Sequence, residues 1–220
     1  MLPTLIQMKQ SNSFSNTSPI RSLAIFFCAI LVCLFSALPA AQAHPHVFIE
    51  QQLGVVFDEK GLSGIKVRWK FDEMYSSMIA GDYDLNRNGK LEAKEVTAIK
   101  DKVFSTFSVS SYFCFIKIEN QPFKVTYIKD FKAILDNNEL IYEFFVPCHV
   151  PASRTPRKVT IATYDPSYYH AISFAEKDPV FLISANTYAV KTVVGEDPEI
   201  KFYYNMISPE TLYLEFRKKP

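Results

Sequence analysis

Twelve consecutive residues carry oxygen donors at the spacing a calcium ion requires: Asp84-Leu85-Asn86-Arg87-Asn88-Gly89-Lys90-Leu91-Glu92-Ala93-Lys94-Glu95. The EF-hand pattern asks for short oxygen-bearing side chains at its first, third and fifth positions, where Asp84, Asn86 and Asn88 stand. Gly89 falls where the loop must turn sharply. Lys90 contributes its backbone carbonyl, so its own charge plays no part in ligation. Leu91 pins the loop to the core, Glu92 acts directly or through water, and Glu95 closes the loop with two oxygens. A register begun at Asp82 fails, because Arg87 would take the glycine position and Ala93 the bidentate one. Two of the first three donors are neutral amides, and Arg87, Lys90 and Lys94 offset the carboxylates. The loop is therefore expected to hold calcium weakly, roughly in the 10⁻⁴–10⁻³ M range of extracellular modules. A lone loop suits a structural clip better than a switch.

The histidines form a second set. His44-Pro45-His46 would open the chain if a leader were removed after Ala43, offering a free amine and two imidazoles to zinc, nickel, cobalt or copper. In an extended segment His44, His46 and Phe48 share one face. Pro45 has no amide hydrogen to lose, which prevents the wrapping of copper or nickel by amine, two amides and a third-position imidazole. Chelation through the amine and ring of His44, plus His46, remains. The alternative is a frayed terminus with two solvated rings. His149, His170 and Asp165 are the further donors that could complete such a site. Asp72 and Glu73, just after a strand-like run, are expected to cap a helix. No nucleophile–base constellation is present: there is no G-x-S-x-G, no H-E-x-x-H and no glycine-rich phosphate loop.

Periodicity indicates which elements must position these groups. Residues 47–57 and 65–71 read as a hairpin around Asp58-Glu59-Lys60-Gly61. Phe71, Met74, Tyr75, Met78 and Ile79 then share a helical face, as do Val96, Ile99, Val103 and Phe107. Strands are expected at 112–118, 123–131, 140–146, 158–164, 180–185, 188–194, 200–205 and 212–216. The fold class expected is α+β and mainly β: a β-sandwich-like body with a helix–loop–helix insertion at about 71–107.

Residues 1–43 contain no Asp or Glu. An almost wholly apolar run at 23–38 leads to Pro39-Ala40-Ala41-Gln42-Ala43. This is the layout of a secretory signal peptide, and it predicts a periplasmic chain of residues 44–220 with no membrane insertion of its own. Cys28 and Cys33 would leave with the leader. Cys114 and Cys148 would remain, either bridged across the sheet or as two buried thiols. The full chain has 220 residues, of which 48% are hydrophobic, enough for a real core, and a formal net charge of +1. Without a basic stripe, nucleic-acid binding is not expected.

The segments His44-Pro45-His46-Val47-Phe48-Ile49, Trp69-Lys70-Phe71-Asp72-Glu73, residues 84–95 and Tyr164-Asp165-Pro166-Ser167-Tyr168-Tyr169 occur in an order that resembles a bacterial domain-of-unknown-function family. That family is labelled the periplasmic component of an uncharacterised ABC-type transport system. Its members are often encoded beside nickel/cobalt-type or zinc-related transporters, so the resemblance implies a metal-handling accessory role and a membrane metal transporter as partner. This chain has Phe48 where the family frequently has Trp, and its Cys114 and Cys148 are not a family feature. The function expected is a non-enzymatic, calcium-stabilised periplasmic protein that handles a transition metal. One alternative is a copper-dependent oxidative enzyme with an N-terminal histidine brace. Another is a calcium-stabilised structural module without a transition metal.

Overall fold

The computed structural model describes residues 20, 23, 26–28 and 45–220. The chain divides into two units, Met1–Gln42 and Ala43–Pro220. Most of the apolar run and of the expected leader, with Cys33 and His44, lie outside the described residues. Among those described, no helix is long and apolar enough to cross a membrane.

The second unit opens with β1 (Val47–Phe57) and β2 (Gly61–Phe71), paired antiparallel. Alternation explains the pairing: Val47, Ile49, Leu53, Val55 and Phe57 point inward from β1, opposite Leu62, Ile65, Val67, Trp69 and Phe71 of β2. At the turn, Asp58 accepts hydrogen bonds from the amides of Lys60 (2.8 Å) and Gly61 (3.0 Å). Gly61 has φ +149°, and a Cβ there would lie 2.2 Å from the Val150 carbonyl oxygen, so the turn requires glycine.

Two helices follow: α1 (Glu73–Tyr83) and α2 (Ala93–Lys102). Phe71 ends β2 rather than opening α1, and Asp72 caps the helix by accepting from the Tyr75 amide at 2.9 Å. Tyr75, Ser76 and Ile79 form the buried face of α1, whereas Met74 and Met78, expected on that face, are exposed. The second apolar periodicity crosses a break. Beyond α2 the chain tightens into 3₁₀ turns over Phe104–Phe113, kinked at residues 110–112, that bury Phe104, Phe107 and Phe113.

The remaining strands are β3 (Cys114–Ile118), β4 (Gln121–Phe123), β5 (Lys129–Asp136), β6 (Glu139–Pro151), β7 (Arg157–Thr163), β8 (His170–Phe174), β9 (Val180–Ile183), β10 (Tyr188–Glu196) and β11 (Glu210–Lys218). One sheet runs β5-β6-β2-β1-β8, with β9 also beside β1, and the other runs β10-β11-β7-β3-β4. Their inner faces share one hydrophobic core, as the sandwich-like reading requires. Trp69 is fully buried at its centre, with the rings of Phe71, Phe107, Phe113 and Phe144 at 4.9–6.5 Å. The Gln51 amide, buried on β1, donates to the Thr163 hydroxyl of β7 and so ties the two sheets together.

Two expected strands are corrected. The run at 123–131 is split, because β4 pairs in one sheet and β5 in the other, so the chain between them must leave both ladders to cross over. Residues 200–205 form turns, with positive φ at Tyr203, Tyr204 and Asn205 and a lone bridge between Phe202 and Ile207. Their aromatic content resembles a strand, but they serve to cover an outer sheet face. Strand β8 had no sequence signal of its own. It forms because the turn before it delivers His170 to the edge of β1.

Candidate metal-binding sites

The 84–95 loop lies between α1 and α2, as the motif demands. Asp84 is buried at the end of α1, and its carboxylate accepts from the amides of Asn88 (3.2 Å) and Gly89 (2.9 Å). Asn86 and Asn88 accept from the amides of Asn88 (3.0 Å) and Lys90 (2.8 Å). Gly89 has φ +74°, and a Cβ there would meet nothing, so glycine serves the backbone turn alone. The Glu95 carboxylate accepts from the amides of Leu85 (3.0 Å) and Glu92 (2.9 Å), and Glu92 and Glu95 form a capping box on α2. Hydrogen bonding with the Glu95 carboxyl, then with the Asn88 and Asn86 amides, holds the Glu92 carboxyl down at about 2, so it is anionic at neutral pH. The donor types fit a hard cation: three carboxylates, two amide oxygens and the Lys90 carbonyl. Ligation by Glu95 would compete with its hydrogen bonds to the loop's own amides.

At one end of the first sheet, β1 and β8 begin side by side. They run parallel, with Val47 opposite His170. The amides of His46 and Val47 both donate to the Tyr169 carbonyl (3.0 and 3.1 Å). Asp72 fastens the same end: its side chain accepts from the Phe48 amide at 2.7 Å, and its own amide donates to the Phe48 carbonyl at 3.0 Å. One residue thus caps α1 and anchors β1.

His170 and Asp165 form a buried pair. The turn Asp165-Pro166-Ser167 folds back so that Asp165 accepts from the Ser167 amide (2.9 Å), the Ser167 hydroxyl (2.7 Å) and the His170 amide (3.2 Å). Its Oδ2 lies 2.7 Å from His170 Nδ1. A carboxylate only accepts, so Nδ1 carries the hydrogen, and in the neutral ring Nε2 is the lone-pair donor. Burial pushes the Asp165 carboxyl up, but the hydrogen bonds from His170 and Ser167 outweigh it and hold the carboxyl below its ordinary value. The His170 ring is packed by Phe113 (5.2 Å) and Phe107 (5.3 Å) of the 3₁₀ segment and by Tyr75 (6.4 Å) of α1.

The structure thus makes His46 and His170 neighbours along the backbone. Strand alternation, however, turns Val47 and His170 inward and leaves His46 exposed beside Tyr169, ring centroids 5.0 Å apart. His149 is not part of this end. It lies on β6, 4.0 Å from Asp58, beyond the far end of β1 and roughly 36 Å along the strand from His46. Among the described residues, no group of three or more His, Cys, Asp or Glu side chains is gathered to hold a metal. His44 lies outside them.

Cys114 on β3 and Cys148 on β6 are buried free thiols, one from each sheet, rather than a disulfide. Burial pushes both up to about 12, with the proximity of Cys148 adding to the effect on Cys114. Sequence reasoning named Asp165 and His170 separately and missed their pairing. The available signal was the Asp-Pro-Ser turn, which returns the chain within five residues. The aromatic enclosure from α1 and the 3₁₀ segment had no local signal.

Comparison with known proteins adds kinship without an activity. A Haemophilus influenzae protein described as uncharacterized is 29% identical over 141 residues, covering 63% of this chain and 66% of that protein. The chain therefore spans a little under two thirds of that relative's length. A Spirochaeta aurantia protein, described as an uncharacterized 15.5 kDa protein in the trpE 3' region, is 23% identical over 134 residues, covering 60% of this chain and 94% of that protein. A family match runs over residues 28–206, across both loop and histidine pair, and the chain belongs to the family described as "Protein of unknown function (DUF1007)".

Proposed function

We propose that this chain is a secreted periplasmic accessory protein, stabilised by calcium in the 84–95 loop, that handles a transition metal for a membrane transport system. What carries the reading is the His170–Asp165 pair at the head of β8, beside the start of β1, which His46 precedes. A carboxylate that fixes a histidine's tautomer and leaves the other nitrogen available is the arrangement that metal-ligating histidines use. His46 stands just before β1 with its amide on the Tyr169 carbonyl, and His44 precedes it by two residues in the sequence. His44 through amine and ring, His46, and His170 through Nε2 are the donors proposed. Imidazole and amine nitrogens suit zinc, nickel, cobalt or copper.

The test is metal titration of protein beginning at His44, against protein carrying one extra residue before it. The extension removes the α-amine from chelation but keeps every imidazole. It should weaken zinc, copper or nickel binding about as much as His44→Ala, with calcium binding as the folding control. Equal affinity in both proteins would remove the amine from the site, and no binding in either would leave a calcium-stabilised module.

A further inference from the structure

The outer face of the second sheet carries four exposed lysines. Lys117 of β3, Lys124 beyond β4, Lys158 of β7 and Lys191 of β10 are all exposed on it. Among the described residues, none of the four is in an ion pair. Glu215 lies between Lys158 and Lys191 in the strand register but within salt-bridge distance of neither. On the outer face of the first sheet two lysines are paired, Lys66 with Glu143 (3.3 Å) and Lys70 with Glu50 (3.7 Å) and Glu139 (3.6 Å), and Lys132 of β5 is in no ion pair among the described residues.

Between these lysines the surface is hollowed, and apolar on the β3–β4 side. The loop at 197–209, closed by the bond from the Asp197 amide to the Pro209 carbonyl (2.9 Å), covers only part of the face and packs Phe202 on Tyr164 (4.7 Å). One hollow of about 370 Å³ is lined by Phe115, Ala162, Tyr164 and Ile200, with Lys117 and Lys124 at its rim. A second of about 330 Å³ is mixed in character, lined by Val193 and Tyr213 together with Asn120, Glu215, Lys158 and Lys191. Thr160 lines both and joins them. Five strands about 4.8 Å apart make this a face roughly 19 Å across.

We infer that this face docks an extended acidic segment of a partner protein, one that alternates carboxylates with apolar side chains. The hollow between Lys117 and Lys124 receives an apolar side chain, and the lysines meet the carboxylates. Charge complementarity selects an acidic partner, and side-chain-sized hollows select a chain over a flat surface. The inference does not depend on either metal reading.

The probe is a fluorescent eight-residue peptide alternating Glu and Leu, followed by anisotropy, with a Lys–Leu peptide as control and phosphatidylglycerol vesicles as the competing occupant. The expected result is saturable binding of the acidic peptide that weakens with salt and falls at least about tenfold in Lys117→Glu/Lys158→Glu. Carbodiimide crosslinking to the unsubstituted protein should map the peptide to Lys117, Lys124, Lys158 or Lys191, which keeps the test decisive if the variant folds poorly. Crosslinks confined to Lys66 or Lys70, equal binding of the Lys–Leu peptide, no binding up to about 1 mM, or binding to vesicles but not to peptide would each overturn it.

Discussion

Replacing Asp165 with Asn tests the histidine end at a single pair of atoms. The aspartate oxygens accept four bonds, two from Ser167 and two from His170. An asparagine has one acceptor oxygen. If that oxygen stays on Ser167, the new NH₂ faces both the His170 amide and Nδ1. The amide then loses its acceptor, and Nδ1 must give up its hydrogen, which moves to Nε2. A buried donor left unpaired costs about 1–3 kcal/mol. Taking about 2 kcal/mol, the melting temperature of metal-free protein should fall by roughly 4–8 °C, at 2–4 °C per kcal/mol for a domain of this size. Transition-metal affinity should fall about 10–100-fold, since Nε2 no longer offers its lone pair. The checks are calorimetry with and without zinc, and nitrogen NMR of the His170 tautomer. The sign with pH follows from the carboxyl being held below its ordinary value. Asp165 contributes stability above the unfolded carboxyl range, roughly pH 4, and loses it as pH falls through the lower folded value. The gap between wild type and variant should therefore narrow in acid. An unchanged tautomer would refute the hydrogen-bond argument, and lowered stability with unchanged metal affinity would make His170 a structural residue.

Glu95→Gln or Asp84→Ala should abolish calcium binding and with it about 1.4 kcal/mol of stabilisation near ten times Kd. No calorimetric heat and no melting shift in the wild type up to roughly 10⁻³ M calcium would sink the calcium assignment. Cys114 and Cys148, pushed up to about 12 by burial, should resist a thiol reagent at pH 8 in the folded protein and react once it is unfolded in denaturant. Gly61→Ala should cost roughly 3 kcal/mol in urea unfolding, because positive-φ strain adds to contact with the Val150 carbonyl. Copper-loaded protein given a reductant should produce no peroxide above the free-copper control; sustained production would favour the oxidative-enzyme alternative.

Local pattern alone determined much of this protein. The β1–β2 hairpin, the helices around a twelve-residue loop, Asp72 as a cap and a mainly-β body all follow from alternation, helical spacing and turn residues. These signals are local, because each residue's neighbours in the element are also its neighbours in the chain. What the tertiary structure alone decided are relations between distant segments. Sheet membership separated β4 from β5 and made residues 200–205 a cover rather than a strand. Met74 and Met78 were left outside because Tyr75, Ser76 and Ile79 met the body first. Cys114 and Cys148 came from opposite sheets as separate thiols. His149 went to the far end, while parallel pairing of β8 with β1 brought His170 beside Val47 and gave it Asp165 and an aromatic enclosure from α1 and the 3₁₀ segment. No periodicity encodes those meetings. They arise because two sheets and a helical pair must bury one set of apolar faces together, and the polar groups at the edges take whichever partners that packing delivers.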